Sequence, residues 1–276
     1  MKETGNYMGR FENKVAVVTG AGDGIGLQIA ESFATEGATV VIAEINEVAG
    51  KRAEEKIKSA GGKALFIPTD VSEEASVEHM VSLAVAQLGQ IDILINNAGV
   101  VVHKKVVDLT REEWDRQIDV QLTGPFLVSK HVARHMLARG GGGKMVNISS
   151  ISAVMGRHKA SAHCASKGGL TMLTKVLAME LGEFQINVNA VAPGLIDVPS
   201  QRDEENISAE YKSSYLNELP LGRIGEVVDI TNMVLFLCSP EANWITGQLM
   251  LVDGGLMSGH YSFRGQGDFT MLQGHQ

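Results

Sequence analysis

One short stretch narrows the folds open to this chain more than any other: the glycine-rich TGAGDGIG at Thr19–Gly26. Before it runs KVAVVTG, an apolar β-branched segment from Lys14 to Gly20. The stretch leads into IGLQIAESFATEGA, where Ile25, Ile29, Ala30 and Phe33 recur at helical spacing. Gly20, Gly24 and Gly26 permit a tight turn and close backbone approach. The N-terminus of the following helix offers unpaired N–H groups and a positive dipole to a pyrophosphate. A glycine-rich turn alone is a weak signal; its place between a strand and a helix makes it a strong one.

The same alternation continues along the chain. TVVIAE (39–44) predicts a second buried strand, and Asn46 a cap for a helix to about Ser59. KALFIPTD predicts a third strand, followed by a helix opened by Ser72 with acidic residues in its first turn. IDILINNAG predicts a fourth strand, and residues 111–140 a long helix interrupted near Gly124 and Pro125. GKMVNISS, INVNAVAPG and QLMLVDGG complete seven strands, with a helix over Ser161–Gly182 between the first two of these. Apolar strands alternating with amphipathic helices imply right-handed crossovers and a parallel sheet covered on both faces. The expected class is therefore α/β, a Rossmann-type, doubly wound, seven-stranded parallel sheet. No linker divides the 276 residues, so a single domain over 1–276 is expected, with an N-terminal extension (1–10) and a C-terminal tail (256–276). Residues 200–225 read as polar and irregular, at the carboxyl edge where open α/β sheets bind ligands.

Charge bears on partners and cofactor. The net charge of −8 argues against nucleic acid or an anionic membrane. The polar start lacks a signal-peptide run, and no segment is apolar enough to span a bilayer. Cys164 and Cys238 lack metal-type spacing and fit a reducing, cytoplasmic setting. Glu44, at the end of the second strand, can accept both ribose hydroxyls of NAD and would repel the 2′-phosphate of NADP. Asp23 adds negative charge within the loop.

These motifs, taken in order, resemble the short-chain dehydrogenases/reductases. TGAGDGIG matches that family's TGxxxGxG, and NNAG (Asn96–Gly99) its fourth-strand motif. Thr69–Val71, NISS ending on Ser150, the His163/Lys167 pair, Pro193–Gly194 and LVDGG also match, so the likeness runs from about Phe11 to Gly255. The resemblance implies cofactor contacts at Gly20, Asp23, Gly24, Ile25, Gly26, Glu44, Asp70 and Val71. It implies further contacts at Asn97, Ala98, Gly99, Val120, Lys167, Pro193, Gly194, Ile196 and Val198. It also implies a small-molecule substrate and a homotetramer with helices 112–138 and 161–182 at a subunit contact.

Three departures cluster at the reaction side. His163 stands where the family has tyrosine, Gln121 where it has asparagine, and Val198 where a threonine holds the nicotinamide carboxamide. Ser150 and Lys167 keep their implied parts of orienting substrate and holding cofactor. His163 and Lys167 are four residues apart and share a helix face. An imidazole titrates near about 6.5 against about 10 for a phenol, and stops roughly 2 Å short of a phenol oxygen. Three readings follow: an NAD-dependent oxidoreductase with His163 as acid/base and Ser150, Lys167 and Gln121 beside it; a lyase- or hydrolase-like enzyme, such as one of elimination or dehalogenation, on an NAD-bound scaffold; or a catalytically impaired regulatory protein. The substrate loops, Val101–Val106, Ile151–Ala160 and Leu195–Leu221, suggest a small to medium, partly apolar molecule with a hydroxyl or carbonyl.

Other features read more plainly. His131 and His135 have a metal-compatible spacing without a third ligand, so no metal is expected. GGGGK (140–144) follows a helix and leads into a strand, the wrong order for a P-loop, and reads as a turn. His103 and His158 flank the expected site. Met172, Leu173 and Met179 read as core or interface packing.

Overall fold

In a strand buried on both faces, alternate residues enter separate cores. The first strand does this in the computed structural model, which describes residues 9–198 and 209–259. Strand β1 (Val15–Thr19) sends Ala16 and Val18 to one face, against Ile29 and Phe33 of helix α1 (Gly24–Thr35). Val15 and Val17 pack on the other, with Met80, Leu127 and Met136.

The chain then alternates as expected: β2 (Thr39–Glu44), α2 (Glu47–Ser59), β3 (Lys63–Pro68), α3 (Glu74–Leu88), β4 (Ile93–Asn96). Next come α4 (Arg111–Ile118), α5 (Gly124–Arg139), β5 (Gly143–Ile148), α6 (Ser161–Leu181) and β6 (Ile186–Pro193). Short β7 (Ile196–Asp197), α7 (Ala209–Glu218), β8 (Gly225–Glu226), α8 (Val227–Cys238) and β9 (Leu249–Val252) follow. Seven parallel strands form one sheet in the order β3-β2-β1-β4-β5-β6-β9. The order reverses between β1 and β4, and ligands of open α/β sheets sit at such a switch point. No helix among the described residues is long and apolar enough to cross a membrane.

Three local readings change and one is made specific. Ser72 does not cap α3: its N–H and hydroxyl both donate to Asp70 Oδ1 (2.9 and 2.6 Å), and the cap position falls on Glu73. A hydroxyl engaged as a donor to Asp70 is turned away from the helix amides. The interruption expected near Gly124 and Pro125 is present as a π turn over Asp119–Thr123, closed by Gly124 N–H on the Asp119 carbonyl. Pro125 has no N–H to give the Gln121 carbonyl, so the ladder shifts by one residue there. Residues 200–225 are not irregular throughout, since they include α7 and reach β8, which pairs with β7. Finally, α8 was not anticipated. Its N-terminus is closed by Glu226 and Asp229 rather than Ser or Thr, and its twelve residues are apolar on most sides.

The expected turn at GGGGK is present, with Gly140, Gly141 and Gly142 all at positive φ. Of the N-terminal extension, residues 1–8 lie outside the described residues, as do 199–208 of the 200–225 segment and 260–276 of the tail.

Candidate active site

A cleft of about 680 Å³ opens along the carboxyl ends of β1–β6. At its β1–β3 end the shape is set by main chain. Gly20 has φ +62°, and a Cβ there would stand 2.8 Å from Ala98 Cα. Asn97 Nδ2 donates to the carbonyls of Thr19 and Gly20 (both 3.0 Å), while the Thr19 hydroxyl accepts from the N–H groups of Asn97 and Ala98. The NNAG segment is thereby lashed to the glycine turn. Gly24, at φ +56°, begins α1, and Asp23 caps it by accepting from Gly24 N–H (2.8 Å). Ile25 follows in that first turn, where a helix presents donors to a phosphate.

Gly26 is the one expected contact residue that does not line the cleft. It lies behind the loop, where a Cβ would collide with the Gly20 carbonyl and Asn97 Nδ2. Its part is to let α1 sit close on the strand. Glu44 is held at the cleft edge, accepting from Gly22 N–H (3.1 Å) and Asn46 N–H (3.0 Å). Asp70 and Val71 line the wall beyond it.

At the β4–β6 end, side chains set the chemistry. Ser150, two residues past β5, is extended and accepts Ser152 N–H at 3.1 Å, which opens a short turn at Ile151–Ala153. His163 and Lys167 lie one turn apart on α6, both buried. Lys167 Nζ donates to the Ile148 carbonyl (2.7 Å). Burial pulls its pKa down to about 8.

Gln121 sits inside the π turn and reaches His163. Its Nε2 donates to the Val100 carbonyl (2.6 Å), so its Oε1 is an acceptor, 3.1 Å from His163 Nδ1. The ring must then carry its proton on Nδ1, which leaves Nε2 as a bare lone pair. Burial first, then the charges of Lys167, Arg157 and His103, push the imidazole pKa down to about 3. The neutral ring is therefore the working form at neutral pH.

Gly99 and Val120 line the middle of the cleft, and Pro193, Gly194, Ile196 and Val198 its far wall. Gly194 lies tight on Asp253, where a Cβ would come 2.9 Å from Asp253 Cα, so the LVDGG segment backs this wall. A Cβ on Gly24 would stand 3.1 Å from Val198 Cγ1, which bridges the two ends. His103 lines the cleft; His158 does not.

Sequence reasoning missed Arg116 and Arg157, which also line the cleft. The signal available was the RHK run at 157–159, of which only the histidine drew attention. The His131/His135 pair is otherwise occupied: His135 Nε2 accepts Ile91 N–H, and His131 meets Glu74. Among the described residues no cluster of three or more His, Cys, Asp or Glu could hold a metal, and both cysteines are free.

A family model described as enoyl-(acyl carrier protein) reductase matches residues 20–257. An uncharacterized oxidoreductase of Thermotoga maritima is 41% identical, with 89% of this chain and 96% of that one aligned. A short-chain type dehydrogenase/reductase from Mycobacterium marinum is 34% identical at a TM-score of 0.85, covering 90% of this chain and 97% of that one. A 7α-hydroxysteroid dehydrogenase solved with NADH and 7-oxo glycochenodeoxycholic acid is 36% identical at a TM-score of 0.85, covering 89% and 95%.

Proposed function

Because the chain belongs to the short-chain dehydrogenase/reductase family and is an oxidoreductase of that type, we propose that it oxidises a hydroxyl group of a small to medium molecule with NAD. The observation that carries this reading is the Val100–Gln121–His163 chain of hydrogen bonds, which leaves a bare Nε2 on a ring that lines the same cleft as Ser150 and Lys167.

The cradle fits a dinucleotide: Gly20 and Gly24 hold left-handed turns that keep side chains out of the loop, and α1 begins beneath them. Gly20, Gly24 and Ile25 would hold the pyrophosphate, with Asp70 and Val71 at the adenine and Asn97, Ala98, Gly99 and Val120 at the adenosine ribose. Gly26 contributes through packing. Lys167, Pro193, Gly194, Ile196 and Val198 would hold the nicotinamide half. Glu44 would take the ribose hydroxyls, and with Asp23 and Asp70 it makes this end of the cleft anionic. A 2′-phosphate would meet repulsion there, which supports NAD over NADP.

NAD, when bound, supplies the acceptor for the hydride lost from the carbinol carbon. The protein's own part is to hold the alcohol and receive its proton. The Ser150 hydroxyl holds the substrate oxygen, and His163 Nε2 accepts the proton, which passes on to solvent. Its lowered pKa keeps the ring neutral at neutral pH, so Nε2 is open to a proton while the protonated ring that would donate one to a carbonyl is scarce. Gln121 positions the ring without touching the alcohol.

The cleft is built on one sheet, consistent with a single catalytic domain. Met172, Val176 and Met179 on α6, with Phe126 and Leu137 on α5, expose apolar surface, which supports a homotetramer joined through these helices. A monomeric mass by light scattering would remove that part of the proposal. The test of the reaction is absorbance at the reduced-nicotinamide band with NAD and a panel of secondary and cyclic alcohols. Sustained reduction of NAD is expected. Its absence across the panel, with NAD still bound by calorimetry, would overturn the reading in favour of non-redox chemistry or regulation.

A further inference from the structure

The acidic side chains of the cleft gather at one end of the sheet, while its basic ones are Arg116 on α4 and a second group farther along. Asp23, Glu44 and Asp70 stand at the β1–β3 end, whereas His103, Arg157 and Lys167 stand where β4, β5 and α6 meet. In a chain of net charge −8, this second cluster is not the overflow of a basic protein.

Two loops supply it. HKK at 103–105 follows β4 and RHK at 157–159 follows β5. Main chain joins them, with Lys104 N–H donating to the Lys159 carbonyl at 3.0 Å. Both loops are tied down near the reacting groups. Val102 N–H donates to Gln117 Oε1 (3.2 Å), and Arg157 N–H to Cys164 Sγ (3.4 Å) in the first turn of α6. Lys104 turns to an ion pair with Glu113, while the Arg157 side chain reaches the cleft. Arg157 and His103 both disfavour protonation of the buried His163 ring, so their charge is felt at the reacting centre.

Resting on the hydroxyl-oxidising reading above, we propose that the substrate carries an anionic group, a carboxylate or phosphate, that pairs with Arg157 while its hydroxyl lies at Ser150 and His163. The guanidinium presents a planar fork that matches either anion through two parallel N–H···O bonds. An arginine fixed on a tethered loop gives such a group a defined direction relative to the carbinol. Arg157 is thus a specificity-determining residue.

The test is a series of alpha-, beta- and gamma-hydroxy acids, each paired with its methyl ester and its phosphomonoester counterpart. Each is assayed for NAD reduction and titrated calorimetrically into the NADH-loaded protein. The best anion is expected to exceed its ester by about tenfold to 100-fold in kcat/KM and in affinity. Comparing carboxylate with phosphomonoester identifies which anion is read. Arg157→Ala should abolish the difference between acid and ester, and Arg157→Lys should keep part of it, since charge remains without the fork. Equal turnover and binding of acids and esters would overturn the inference while leaving the hydroxyl-oxidising reading intact, as would a preference that survives Arg157→Ala. Should no alcohol be oxidised, the binding arm decides. Anion-selective binding lost in Arg157→Ala would uphold the site and sink only the redox reading; binding indifferent to charge would overturn both.

Discussion

At the β1–β3 end of the cleft, contacts run from side chain to main chain: Asn97 to the Thr19 and Gly20 carbonyls, Glu44 to the Gly22 and Asn46 amides, Asp23 to the Gly24 amide. At the β5–α6 end, the decisive contact joins two side chains, Gln121 and His163, 42 residues apart. A turn made by glycines and main-chain carbonyls leaves little room for substitution, because a Cβ at Gly20 would strike Ala98. A pair of side chains can be exchanged together, provided each new partner still satisfies the other. Gln121 Oε1 and His163 Nδ1 satisfy one another across such a side-chain contact. The longer amide spans to the ring, and its other end is held on the Val100 carbonyl.

The contrast is broken most severely through His163. His163→Ala should lower alcohol oxidation by about 10²–10⁴-fold, the usual worth of a proton acceptor, with NAD affinity by calorimetry unchanged. Full activity would remove any catalytic part for the ring. His163→Tyr sharpens the same point: it should preserve or raise alcohol oxidation if the reaction is ordinary dehydrogenation, and abolish the native reaction if the histidine serves other chemistry.

Gln121 gives an effect smaller in rate but more diagnostic in pH. A carboxylate facing Nδ1 favours the imidazolium, so Gln121→Glu should raise the pKa of His163 from about 3 toward the free-imidazole value. Oxidation by the variant should then fall as pH drops through the raised value, whereas the parent stays active well below 6. A variant profile that overlays the parent's would show that Gln121 does not act through the ring.

On the alkaline side, Lys167 sets the limit. Its ammonium, lowered by burial to about 8, is present below that pH and lost above it. Activity should decline through about pH 8 to 9 as the contact with the nicotinamide half weakens. Lys167→Met should remove that limb from the pH–rate profile; a limb that persists would belong to another group.

The smallest effect is expected at the other end. Glu44→Ala should relax the preference for NAD over NADP by about tenfold, while kcat at saturating NAD holds. Equal affinity of the unmodified protein for both dinucleotides would show that Glu44 does not discriminate.

Much of this molecule was legible before any coordinates. Strands announce themselves through β-branched runs, helices through spacing, and the glycine turn through its place between the two, because all of these are local in the chain. Every expected contact residue except Gly26 lines the cleft for the same reason: positions at strand ends converge once the sheet is parallel. Helix α8 escaped because its cap lacks Ser or Thr and its apolar residues face the core on most sides, which erases the periodic signal. The proton's place on Nδ1, the shift of the ring to about 3, and the approach of Arg157 to the cleft could not be read from spacing. The sequence by itself determined the sheet, the turn and the candidates for the site, since these depend on neighbours along the chain. Only the tertiary structure decided what those groups can do. Protonation state, desolvation and charge are sums over neighbours in space, and at this site they come from four separate segments around His103, Gln121, Arg157 and Lys167.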